Sequence, residues 1–278
     1  MVAHRPVVAV MAGTLMLVGC TGGSDGDTGT GTRKPSARSS GTTGEPGSAP
    51  SSPDPYTVAE DRAPATRAEA VEFVRELPVR PDYFGAGFRE GEPYESDPAR
   101  WAVLGEDCVW RREPLPDGVL ASLTRAFVLP ATKGKEAVHV SLTVTVHADV
   151  TGGRRDMAVS LEESLRCPEQ RLNATQRVRG LYSQANPFGE ERNAIGDDDL
   201  TETGEYLVDG DQQARPFDWY KYRLGPVTVA ATARIGAGRS EEERSTVSSE
   251  VAKGVSFVAA DIDRLAGADG PSGKAASR

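Results

Sequence analysis

The pattern of apolar and polar positions is most regular in the second half of the chain. From Val138 to Val146 the two kinds alternate strictly, with Val138, Val140, Leu142, Val144 and Val146 on one side and His139, Ser141, Thr143, Thr145 and His147 on the other. This predicts a strand with one buried and one wet face, as antiparallel sheets commonly have. Thr124 to Leu129, followed by Lys133-Gly134-Lys135, fits the partner strand of a hairpin. Trp219 to Leu224 and Val227 to Ile235 form a second such pair across Gly225-Pro226, with Val227, Val229, Ala231, Ala233 and Ile235 on one face.

Helical spacing appears in three places. Thr66-Arg67-Ala68-Glu69 has the form of a capping box, and Ala70, Phe73, Val74 and Leu77 follow it until Pro78. After Gly152-Gly153, Met157, Leu161 and Leu165 predict a helix over Asp156 to Arg166. Ser240 and three glutamates then open a long helix whose Val247, Val251, Val255, Val258, Ile262 and Leu265 make an apolar stripe. Hairpins interrupted by helices define an α+β domain, an antiparallel sheet with packed helices that include a long C-terminal one.

The first twenty residues follow another rule. His4 and Arg5 precede an apolar run from Val7 to Val18, interrupted by Gly13 and Thr14 and closed by Leu17-Val18-Gly19-Cys20. The run is too short for a permanent span and has the form of a secretory signal peptide. Its end resembles the lipobox of bacterial lipoproteins. That resemblance implies cleavage after Gly19 and a diacylglyceryl group, built on fatty acids such as palmitate, on Cys20. The expected location is the extracytoplasmic face of the cell membrane, through the lipid anchor.

Of the 35 positions from 21 to 55, 26 are Gly, Ser, Thr or Pro and none is Val, Ile, Leu or aromatic, so ordering this segment would bury almost nothing. The expected organisation is therefore a signal peptide over 1–19, a lipidated Cys20 and disordered tether over 20–55, a globular domain over 56–266 and a disordered tail over 267–278. The formal charge of -9 and the lack of a concentrated basic run argue against nucleic acid as a partner. With Cys20 committed to lipid, Cys108 and Cys167 remain as a pair, and export makes a disulfide between them the expectation.

Catalytic patterns are sparse. His139 and His147 share a strand face but stand ~26 Å apart at ~3.3 Å per residue, too far to ligate one metal within that strand. His147 and Asp149 have the residue types of a general base and its orienting partner, without a nucleophile motif. Gly236-Ala237-Gly238 has Glu241 where a dinucleotide fingerprint needs glycine, which favours a turn. Asp197-Asp198-Asp199 and Asp209-Gly210-Asp211 lack the spacing of a calcium loop. No metal or other cofactor is implied.

Trp219, Lys221 and Arg223 fall on one strand face, opposite Tyr220, Tyr222 and Leu224. An aromatic and basic face of this kind can stack on a sugar or contact an acidic wall polymer; alternatively the cationic stems cover one side of a core strand. The whole arrangement resembles exported lipoproteins of high-GC actinomycetes. More loosely, it is similar to PsbP-like lipoproteins and to the extracytoplasmic sensor domains of actinobacterial serine/threonine kinases. The resemblance implies a noncatalytic module that binds or senses an envelope ligand or protein. The alternative is an envelope hydrolase using His147, Asp149 or the acidic loops.

Overall fold

The computed structural model describes residues 54–184, 195–211 and 213–267. The expected signal peptide, Cys20, the tether up to residue 53 and the tail beyond Gly267 lie outside the described residues.

Among the described residues, ten strands and three helices follow one another in an α+β arrangement. Helix α1 (Arg67–Glu76) comes first, then a 3-10 turn (Pro81–Phe84) and strands β1 (Arg89–Glu95), β2 (Arg100–Leu104), β3 (Trp110–Pro114), β4 (Val119–Leu129) and β5 (Val138–His147). Helix α2 (Val150–Arg166) leads to β6 (Glu169–Arg171), β7 (Gln176–Gln184), β8 (Asp198–Val208), β9 (Arg215–Leu224), β10 (Val227–Ile235) and α3 (Glu241–Ala266). Eight strands form one antiparallel sheet in the order β1-β4-β5-β10-β9-β8-β7-β6, so the two expected hairpins lie side by side in a single sheet. Among the described residues, strands β2 and β3 form a separate two-stranded sheet with each other.

Alternation gives the sheet two chemically different faces. On one, Val140, Leu142 and Val144 of β5 stand beside Val229, Ala231 and Ala233 of β10, in register. These residues, with Leu123 and Phe127 of β4 and Tyr222 and Leu224 of β9, join Ala70 and Val74 of α1 and Val251, Val255, Val258 and Ile262 of α3 in the main core. The four α3 residues are fully buried. β-Branched residues are mediocre helix formers, so α3 depends on this burial and on its capping box, in which Ser240 accepts from the Glu243 amide and Glu243 accepts from the Ser240 amide. Gly254 lets α3 close on the 3-10 turn, since a Cβ there would stand 2.6 Å from the Phe84 ring.

The opposite face presents Ser141, Thr143, Thr145, Thr228, Thr232, Trp219 and Lys221, and α2 lies over it. This helix starts earlier than its apolar spacing predicts, at Val150 instead of Asp156. Asp149 caps it by accepting from the Gly152 amide at 2.7 Å, and Gly153 allows close approach, because a Cβ there would meet the Arg223 side chain and the Gly225 carbonyl at 3.2 Å. The buried side of α2 is Gly153, Met157, Ser160, Glu163 and Ser164, whereas Leu165 is 85% exposed. A largely polar helix face thus lies on the polar sheet face, and Leu161 and Leu165, which signalled the helix, point away from it.

Candidate functional site

Between the polar face of the sheet, α2 and the β2–β3 hairpin lies a cavity of about 440 Å³. Its floor comes from β4, β5, β10 and β9, one wall from α2, and its roof from the hairpin. All three tryptophans of the chain, Trp101, Trp110 and Trp219, line it. The Trp110 and Trp219 rings meet edge to face with centroids 6.1 Å apart, and the Trp110 indole donates to Gln170 Oε1 at 2.8 Å.

The roof is fastened at its tip. Cys108, in the turn between β2 and β3, is bonded to Cys167 at the C-cap of α2, with the two Cα atoms 5.5 Å apart. The expected disulfide is therefore present. It ties the β2–β3 hairpin, which lies ahead of the β4–β5 pair and which the sequence pattern did not reveal, to the end of α2. Arg166 of α2 donates to the carbonyls of Gly105 and Leu104 at 3.1 and 3.2 Å, and the Arg171 amide donates to the Cys108 carbonyl at 2.8 Å.

Below the roof a buried polar cluster ties α2 to the sheet. Lys221 Nζ lies 2.9 Å from Asp156 Oδ1 and donates to Ser160 Oγ at 2.9 Å. Thr228 donates to Asp156 Oδ2 at 2.8 Å, and the buried His147 ring lies 3.3 Å from Thr228 Oγ1 and 3.4 Å from Asp156 Oδ2. Burial by itself would raise the Asp156 carboxyl, but the Lys221 ammonium and the His147 ring outweigh it and hold the group well below the usual carboxylate range. Glu163, also on the cavity side of α2, is pushed up to about 7 by burial against the opposing pull of Lys221. Glu202, fully buried on β8, is likewise raised by burial; Ser183 donates to its Oε1 at 2.5 Å, and Oε2 has no partner among the described residues.

Trp219 and Lys221 both line the cavity, but Arg223 does not. The Arg223 guanidinium is spent on Asp197 and Asp198 and on the Gly225 carbonyl, beside a second, more polar depression of about 560 Å³ near the start of α2. The strand face holding these three is covered: Lys221 and Arg223 are buried as residues, at 6% and 4% exposure. Among the residues considered for catalysis, His147 is enclosed in the cluster, Asp149 is a helix cap and His139 is exposed beside Arg234. The acidic segments are matched with arginines, Asp197 and Asp198 with Arg223, Asp209 with Arg171 and Arg177, and Asp211 with Arg215. No group of three or more side chains suited to hold a metal ion occurs among the described residues.

Sequence reasoning did not bring out Trp101, Trp110, Arg112, Gln170 or Arg234 as cavity residues. They are spread over more than a hundred positions and converge only through the strand order. The available signals were the hydroxyl sides of β5 and β10, which alternate as regularly as their valine sides, and the position of Trp110 two residues after a disulfide cysteine.

The fold and cavity define an α+β domain with a half-open, tryptophan-lined cavity of small-molecule size, in which polar groups are set into a larger apolar lining. No family model matches the chain, and no curated protein matches it. Among solved structures, the chain is similar to the crystal structure of an uncharacterised protein from Mycobacterium smegmatis, at 14% identity over 71% of this chain and 100% of that one. The TM-score of 0.30 is too low to carry an argument about fold or role.

Proposed function

We propose that this protein is a noncatalytic binding or sensing module of the cell envelope, held at the extracytoplasmic face of the membrane by a lipid on Cys20, and that the cavity under the β2–β3 hairpin is its ligand site. The observation that carries the reading is the cavity itself: about 440 Å³, bounded by all three tryptophans and by rows of serine and threonine, under a disulfide-fastened roof. Its volume falls in the range of small-molecule sites. The hydrolase alternative has less support, because His147 is buried and does not line the cavity, Asp149 is spent as the cap of α2, and Lys221, beside Ser160, is paired with Asp156.

Two measurements on the full-length protein test the two halves of the proposal. Wild-type protein should partition into detergent and carry a diacylglyceryl mass at Cys20, and Cys20→Ala should be recovered in the aqueous phase; equal membrane retention of both would reject the anchor. The full-length Cys20→Ala protein, immobilised and exposed to envelope extract, should retain a small molecule that Trp219→Ala does not retain. Recovery of the same material by both would reject the cavity as the binding site.

A further inference from the structure

The polar groups around the cavity divide into those already bonded and those left over. Ser122 is bonded to Thr145 at 2.9 Å, Thr124 to Thr143 at 2.8 Å, and Thr228, Ser160, Asp156 and Lys221 to one another. The remainder is rich in donors. Gln170, 2% exposed, uses Oε1 on Trp110 and has no partner for its Nε2 amide among the described residues, which is uncommon for a buried donor. Ser141 and Thr232, register partners on β5 and β10, have no hydrogen bond from their hydroxyls among the described residues, and Thr232 is also the register partner of Trp219.

Two cations belong to the same remainder. Arg111 is paired with Asp107, but neither Arg112 nor Arg234 has a carboxylate within salt-bridge distance among the described residues. Arg112 donates to Thr124 Oγ1 at 2.7 Å and to the Arg100 carbonyl at 3.5 Å, and Arg234 donates to Gln176 Oε1. Loss of hydration lowers both guanidiniums. Although the chain carries -9 overall, the cavity lining holds Arg111, Arg112, Lys221 and Arg234 against Asp156 and Glu163.

Resting on the cavity reading above, we infer that the ligand is an acidic sugar: a polyol ring bearing a phosphate or carboxylate, stacked against the tryptophans, its hydroxyls meeting Ser141 and Thr232 and its anionic group meeting Arg112 or Arg234. Each part of this ligand satisfies something the cavity leaves open. Indole faces accept the C–H face of a sugar, a floor of hydroxyls matches polyol hydroxyls, and a guanidinium without a carboxylate partner matches an anion through charge-assisted bonds. A hydrocarbon chain in the same space would cover the Ser141 and Thr232 hydroxyls without bonding them. A cationic ligand would face Arg112 and Arg234.

The tryptophans make the test direct, because all of the indole emission comes from the cavity lining. Full-length Cys20→Ala protein is titrated at constant ionic strength with glucose 6-phosphate and with glucose, and separately with phosphatidylcholine vesicles with and without phosphatidylinositol, whose headgroup is an acidic polyol. A saturable emission change is expected that is at least roughly tenfold tighter for glucose 6-phosphate than for glucose, and it should weaken by roughly tenfold in Arg112→Gln. Arg112 is exposed at the rim, so this substitution spares the core. A response only to phosphatidylinositol vesicles, with the same loss in Arg112→Gln, supports the inference and assigns the acidic polyol to a lipid. Equal responses to glucose and glucose 6-phosphate, no saturable response to any probe, or unchanged affinity in both Arg112→Gln and Arg234→Gln overturn it. Capture of a neutral molecule from envelope extract, lost in Trp219→Ala, would overturn the acidic-sugar inference while leaving the cavity reading intact.

Discussion

Lys221 of β9 and Asp156 of α2 meet at 2.9 Å in the wall of the cavity, with their side chains 8% and 16% exposed. The pair bridges sheet and helix, and because the ammonium also donates to Ser160 and to the Asp156 carbonyl, its donors are occupied. Glu163, two turns along α2, has no hydrogen bond or ion pair to its carboxyl among the described residues. Two carboxyl groups on one helix face are thereby driven in opposite directions, one by a cation in contact and the other by burial.

That contrast sets the pH dependence of stability. Glu163 rises from 4.5 unfolded to about 7 folded, facing Lys221 of β9, Glu202 of β8 and Asp156 and Arg166 of its own helix. The folded state then holds the proton more tightly, so the contribution is fully present below pH 4.5 and is lost as pH rises through about 7. Asp156 acts with the opposite sign, stabilising above the ordinary carboxylate range and losing that effect as pH falls. Comparison of wild type with Glu163→Gln cancels the Asp156 contribution. After allowance for screening at the cavity mouth, the variant should gain about 2 kcal/mol over wild type at about pH 8 relative to about pH 4.5 in urea melts. The same difference at both pH values would contradict it.

The roof should depend on its covalent tie. Replacing Cys108 and Cys167 together by Ser opens a link spanning 59 residues of sequence. In the loop-entropy account this costs about 4 kcal/mol in denaturant midpoint analysis. Since Trp110 lies two residues from Cys108, its emission should also shift toward that of wetter indole under native conditions. Unchanged emission with reduced stability would show that the hairpin keeps its place without the bond.

Helix α3 offers a third test, on the opposite side of the sheet. Ile262 is fully buried in the main core, and truncation to Ala should cost about 2 to 5 kcal/mol. Ser249 is exposed, and Ser249→Ala should change stability by less than about 0.5 kcal/mol. Paired denaturant melts separate the two, and equal small effects would be incompatible with α3 as a core element.

What could be read from sequence follows the strength of each local pattern. β5, β10 and α3 were legible because each sets a continuous apolar row against the core, and α1 because Thr66 and Glu69 form the capping box they spell. β1, β3 and β6 were not, because Arg89, Arg111 and Glu169 stand among few apolar neighbours, and β2 was not, because Trp101-Ala102-Val103-Leu104 is a short apolar run without alternation; their registers are set by the strands or hairpin partners beside them. β8 is obscured by Glu202, a carboxylate at 0% exposure where alternation would lead one to expect an aliphatic residue. Of the cavity, only the stretch around Trp219 and Lys221 stood out. Trp101, Trp110, Gln170 and Arg234 are ordinary in their local contexts and acquire meaning only when β4, β5, β10 and β9 lie side by side.

The two faces of the central sheet obey different rules of substitution. On the α3 side, Val140, Leu142 and Val229 are constrained by volume, because a methylene added or removed there is felt throughout a close-packed interior. On the α2 side, Ser141 and Thr232 are half-buried and bear no structural hydrogen bond from their hydroxyls among the described residues, so exchanging Thr232 for Val removes a hydroxyl from the floor while leaving its shape almost unchanged. Under the proposed role of the cavity, selectivity can therefore drift one hydroxyl at a time, on strands whose stability is secured from the other side.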